Sequence, residues 1–214
     1  MGVNSPTTYS RWDVNGDSAD IAHVLLPGYD STLFAAGGGD NYAIDVRDSI
    51  VAILLGGLGD PVSLWKSTDN GENWKYTDVD SFPFKGQRLA AQLLLSGDTV
   101  STNDGSVDVM IDATGKVHAF WGLGRVLGAE PDGADTTGFS FFPGQSQIRH
   151  WKEGDATSRI AGSGFDLDQD GQFNVTAETF SSLDENQNVP DNLLSATRTG
   201  NTSLVTMPSA SADE

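Results

Sequence analysis

No cysteine occurs in the 214 residues. Disulfide-stapled scaffolds, thiol nucleophiles and thiolate metal sites are therefore excluded, and stability must come from packing or bound ions. Basic residues are scarce: 12 Lys and Arg stand against 30 Asp and Glu, a formal charge of −18. Such a chain repels a phosphate backbone and anionic lipid, so nucleic acid is not an expected partner. Divalent cations gain most from clustered carboxylates, the alternative being acidity that serves solubility in salty surroundings. No apolar run approaches the roughly 18 residues of a membrane-spanning helix, so no membrane insertion is expected. The three His residues (His23, His118, His150) form no metal-binding spacing, and there is no Gly-x-Ser-x-Gly elbow or Walker loop. Met1-Gly2 leads directly into polar Val3-Asn4-Ser5-Pro6, without the basic and apolar regions of a secretory leader. That start is read as a boundary, at which any leader has been removed or never existed.

What the chain has in quantity is glycine, 25 residues, and short alternating runs rich in β-branched side chains. No long stretch carries the 3.6-residue period, so the expected class is all-β with many turns. Strands are expected over 21–27 and 32–36, then as a hairpin from Tyr42–Val46 to Ser49–Leu55 with its turn near Arg47-Asp48. A second hairpin is expected from Val107–Ile111 to Lys116–Trp121 around Asp112-Ala113-Thr114-Gly115. Gly122 to Pro143 reads as a Gly-rich loop. Strands over 147–152 and 158–161 are then expected to flank Glu153-Gly154-Asp155.

The sharpest local signal is Ser67-Thr68-Asp69-Asn70-Gly71-Glu72-Asn73-Trp74. Asp and Asn side chains bond back to their own backbone and Gly supplies positive φ, so these residues read as a hairpin tip between 63–66 and 75–77. The string matches Ser-x-Asp-x-Gly-x-x-Trp and so resembles the Asp-box, the bacterial neuraminidase repeat of sialidase-like β-propellers. The resemblance implies that the turn joins the two outer strands of a propeller blade, with Asp69 bracing it and Trp74 packing between sheets. It assigns Ser67, Asp69, Gly71 and Trp74 to the frame and not to an active site.

On that resemblance the expected architecture is a partial β-propeller of four-stranded antiparallel blades. Its parts are blade pieces over 1–41, an Asp-box blade over 42–84, a second blade over 105–162, an insert over 163–200, and the start of a further blade over 201–214. Closed propellers need about four to eight blades, so the ring is expected to be completed by the remainder of a longer chain or by a homo-oligomer. A further possibility is that the long inserts form sheets of their own.

Asp166-Leu167-Asp168-Gln169-Asp170-Gly171-Gln172-Phe173-Asn174 places carboxylates at alternate positions before a Gly turn, a pattern that wraps oxygens around Ca²⁺. It resembles the first half of an EF-hand or dockerin-type loop. The expected ligands are Asp166, Asp168, Asp170, the Gln172 carbonyl and Asn174. Ala177 stands where a closing Glu belongs, so Glu178 or a distant residue would complete a weak site. The competing reading is an acidic turn using Asp-to-backbone bonds. Asp13, Asn15 and Asp17 form a fainter echo, with Ser18 replacing the turn Gly and Val24 the closing carboxylate.

Sialidases clamp a substrate carboxylate with three Arg residues. Of the seven here, Arg149 in Ile148-Arg149-His150 comes nearest to that family's motif but lacks its Pro and a following Asp-box. Trp65, Trp121 and Trp151 with Tyr42 and Tyr76 could stack on sugars if exposed, but packing between blades is the stronger expectation. Asn174-Val175-Thr176 and Asn201-Thr202-Ser203 have the N-glycosylation pattern. The expected function is a non-catalytic binding or display module of a secreted or cell-surface bacterial protein, taking a glycan or protein ligand, with calcium bracing one loop. The alternative is a portion of an exported sialidase-like glycoside hydrolase.

Overall fold

A computed structural model describes residues 7–12, 15, 18–30, 41–82, 100–128, 139–141, 147–163 and 208–211. Eleven strands form three antiparallel sheets, and no helix occurs among the described residues. The first sheet is a hairpin of β1 (Thr8–Trp12) and β2 (Ala19–Leu25). The second is a meander of β3 (Tyr42–Arg47), β4 (Ile50–Leu55), β5 (Val62–Ser67) and β6 (Lys75–Asp80), hydrogen-bonded in that order. The third sheet contains β7 (Val100–Ile111), β8 (Val117–Gly128), β10 (Gln147–Lys152) and β11 (Arg159–Ser163), again neighbours in chain order, with β9 (Phe139–Phe141) paired to the far end of β8. The expected strand over 32–36, residues 164–200 of the expected 163–200 insert with Asp166, Asp168, Asp170, Gln172, Asn174 and Glu178, and Asp13 and Asp17 lie outside the described residues.

The central strands of the middle sheet, β4 and β5, are buried on both faces, which explains why Ile50–Leu55 is a continuous apolar run instead of an alternating one. From β4, Ala52 and Leu54 join Leu64, Val109, Ile111, Val117, Ala119, Trp121 and Trp151 in a core against the third sheet. Ile53 and Leu55 point the other way, joining Trp65, Tyr9 and Leu26 against the first sheet. Trp65, Trp121 and Trp151 are thus core residues, while Tyr42 is exposed.

Two boundaries differ from those expected. β8 runs on through Gly122-Leu123-Gly124 to Gly128, where a loop is expected from the glycines. The physical reason lies across the pair: the Asp104 carboxylate occupies the space a Cβ at Gly122 would need. Gly122 therefore serves close approach and not chain reversal. β7 begins at Val100 because a bulge between Asn103 and Val107 lets it continue past the irregular Asp104-Gly105-Ser106.

Successive sheets are joined by a repeated device. On β3, Asp45 accepts the Val46 N–H at 2.8 Å and, with its other oxygen, the Ile111 N–H of β7 at 2.6 Å. On β7, Asp108 accepts the Val109 N–H at 2.9 Å and the Ala210 N–H at 2.6 Å. The first strand of one sheet thus hooks the next segment, twice over. A second device recurs at the turns. Arg11 on β1 reaches the Asn70 carbonyl and Glu72 Oε1 of the middle sheet, while Lys66 on β5 reaches the Gly115 carbonyl and Glu153 Oε2 of the third.

Candidate functional site

The 67–74 turn is a closed hydrogen-bond unit. Asn70 and Gly71 adopt φ of 57° and 87°. Ser67 Oγ accepts the N–H groups of Asp69 and Gly71 and donates to Asp69 Oδ1 at 2.7 Å. Asp69 also takes the Asn73 backbone N–H and side-chain amide, which lower its carboxyl from 3.8 to about 2, with Ser67 adding to the shift. Trp74 donates to the Gly71 carbonyl and stands edge-on to Tyr9, 5.0 Å away. Every polar group named is used internally, so the turn is a brace. With the Asp69 carboxyl depressed, its contribution is complete above pH 3.8 and lost as pH falls towards 2. We expect Asp69→Ala to lower the melting temperature at pH 7 and to have little effect near pH 2; equal effects at both would contradict the assignment.

The other end of the same strands opens into a cleft of about 330 Å³ between the second and third sheets. Six separate stretches meet there: Asp60 before β5, Asp80 at the end of β6 with Ser81 and Phe82, Ser101–Asn103 on β7, Leu123 on β8, Arg149 on β10, and Ser158 just before β11. Most of the polar side chains are occupied. Arg149 donates to Ser158 Oγ and its carbonyl at 2.9 and 3.0 Å and reaches Gln147 Oε1 at 3.4 Å. Asn103 donates to the Asp60 carbonyl and accepts the Gly105 N–H, and Thr102 Oγ1 accepts the Gly59 N–H at 2.8 Å.

Asp80 differs. Burial pushes its carboxyl above the usual range against the pull of Arg149. The Trp121 indole N–H also favours its charged form, yet that N–H is fully buried and meets no acceptor in the distance and angle of a full hydrogen bond. A polar pair left this incompletely satisfied is uncommon in a folded interior. The sign for stability is definite: a raised acid pKa means the charged form is penalised on folding, so the cost is present at neutral pH and relieved as pH falls through the folded-state value. Asp80→Asn should therefore raise the melting temperature at pH 7, a gain that shrinks under acid; a lower melting temperature at pH 7 would contradict this account.

A second polar line lies on the third sheet, on the face away from the middle sheet. His118 Nε2 meets Asp112 Oδ2 at 3.2 Å and its Nδ1 meets His150 Nε2 at 2.9 Å. The two rings are nearly parallel, 11° apart, and Phe120 stacks on His150 at 4.6 Å. Lys152 also reaches Asp112, and Asp155 and Arg159 act on His150 from the turn and β11. Burial first, then the neighbouring His118, holds the His150 imidazole below its ordinary value of 6.5. Stability from neutral His150 is complete above pH 6.5 and falls as pH drops through that depressed value. We expect melting temperature to decline on acidification below 6.5, and the slope to flatten in His150→Gln; an unchanged slope would sink the assignment.

Among the described residues no group of three or more acidic or His side chains is arranged to hold a metal ion. The cleft was invisible to motif reading, since its members come from six stretches; only Arg149 stands out in the sequence. No protein-family model, no curated protein and no solved structure matches the chain.

Proposed function

We propose that the chain is an arc of an Asp-box β-propeller serving as a non-catalytic binding or display module of a secreted or cell-surface bacterial protein. The observation that carries the architectural part is the repeated hook. Asp45 holds Ile111 as Asp108 holds Ala210, so one rule of succession relates the second sheet to the third and the third to the segment at 208–211. Two consecutive four-stranded meanders, each placing its first strand next to the following one, are what radially stacked blades require. Tyr42, Ile44 and Val46 form an exposed apolar row on β3, a surface suited to a further sheet from the rest of a longer chain or from a second copy. Static light scattering on the protein and on Ile44→Lys tests the second copy: a dimer that becomes monomeric with the substitution supports it, and a monomer in both assigns the row to the same chain.

The ligand is a glycan or a protein held at the end of the strands opposite the 67–74 brace, where the cleft opens. Calcium at Asp166, Asp168, Asp170, Gln172, Asn174 and Glu178 belongs to the same reading. A specific site stabilises by about 2.7 kcal/mol at a hundredfold excess of Ca²⁺ over Kd. No rise in melting temperature over a chelator control, or a rise retained in Asp168→Ala with Asp170→Ala, removes it. A glycan array followed by a fluorogenic sialoside assay tests the functional reading. Binding without turnover supports a module, and turnover above buffer moves the chain to the hydrolase alternative.

A further inference from the structure

We infer that the cleft between the second and third sheets is a subsite for a neutral, hydroxyl-rich ligand of the size of a single pyranose, anchored on Asp80. This rests on the binding-module reading and narrows it to a ligand class. Three observations converge. The volume, about 330 Å³, admits one sugar ring with room for water. The hydrogen-bonding demand is specific, because Asp80 is a half-buried carboxylate for which no donor of full geometry is found among the described residues, and a charged carboxylate accepts several bonds. Its occupant should therefore be a donor, and adjacent hydroxyls of a ring can supply two donors to one carboxylate.

Charge then separates the donor classes. Asp60 and Asp80 face one guanidinium in the cleft, on a chain of formal charge −18, so an acidic sugar is opposed. Arg149 offsets only one of these carboxylates, and most of its donors are directed at Ser158 and Gln147. Arg149 beside Asp80 offsets one of the two carboxylates, so a cationic ligand gains less here than at an uncompensated acid. What remains is a neutral donor. Phe82, Val62 and Leu123 give the cleft an apolar component for the C–H face of a ring, with the Ser101 hydroxyl among the lining groups.

The Trp121 indole N–H beside Asp80 offers a built-in reporter, because its ¹H–¹⁵N resonance is one of five indole signals in the chain. The experiment is a titration of the ¹⁵N-labelled protein with methyl glycosides of glucose, galactose and mannose, and separately with glucuronate and glucosamine. A saturable shift of the Trp121 indole signal with at least one neutral glycoside is expected. Asp80→Ala should weaken it by about tenfold or more, the usual consequence of removing a charged hydrogen-bond acceptor, while the other four indole signals confirm that the fold persists. If only glucuronate or only glucosamine shifts Trp121, the neutral-ligand assignment is overturned and the binding-module reading survives. If no saccharide moves a cleft resonance, the subsite is overturned, and the glycan array decides the wider reading independently.

Discussion

Trp65→Ala should cost about 3–5 kcal/mol of unfolding free energy in urea, the range for deleting a large aromatic from a packed core. Trp65 is 0% exposed, and it sits opposite Ile53 in the register of β4 and β5. Tyr76 lies 5.1 Å away and Tyr29 6.3 Å. Its indole N–H donates to the Pro27 carbonyl at 2.9 Å, tying the segment after β2 to the middle sheet. The substitution removes that bond, worth about 1 kcal/mol, and leaves a cavity between two sheets that cannot both collapse into it. Against a total stability on the order of 5–15 kcal/mol, such a loss is a large fraction. Tyr42→Ala is the control, since Tyr42 is 54% exposed and its removal should change stability by no more than about 0.5 kcal/mol. A loss below about 1.5 kcal/mol at Trp65 would mean that the first sheet does not close the core over it.

Gly71→Val should destabilise the fold by several kcal/mol, through two independent costs. At φ 87° a side chain with a branched Cβ is strained, by about 1–2 kcal/mol for leaving the right-handed region alone. A Cβ at this position would also lie 2.5 Å from the Tyr9 hydroxyl and 2.7 Å from its ring, contacts that force β1 away from the turn. Gly71→Ala meets the same Tyr9 atoms with one carbon, so it should fall between wild type and valine. The pair Gly71→Ala with Tyr9→Ala separates the two costs: relief of part of the loss in the double variant isolates the clash, and no relief would show that backbone strain accounts for it all. Displacement of β1 should also break the Arg11 contacts to the Asn70 carbonyl and the Glu72 carboxylate, so Arg11→Ala should add little to the loss already suffered by Gly71→Val.

Much of the frame is legible in the residues. The pattern Tyr42 to Leu55 specifies a hairpin because its turn and its apolar alternation agree, and Ser67 to Trp74 specifies a turn because each side chain can satisfy a neighbour's backbone within eight residues. Such local hydrogen bonds depend on spacing alone, so spacing reveals them. The second meander was legible for the same reason at Asp112–Gly115, where Asp112 takes the N–H groups of Thr114 and Lys116. The far half of β8 was not, because Gly122 and Gly124 resemble turn formers until Asp104 is seen lying against Gly122.

The sequence by itself determined the all-β class, the two hairpins and the braced turn, all of which rest on contacts between residues close in the chain. Only the tertiary structure decided which faces are buried, how Asp45 and Asp108 hook segments 66 and 102 residues further on, and that Asp80 and Arg149 share one cleft. The reason is the same in each case. An aspartate at the end of a strand has one meaning in sequence, but its charge acquires a cost and a use only when another sheet removes its water.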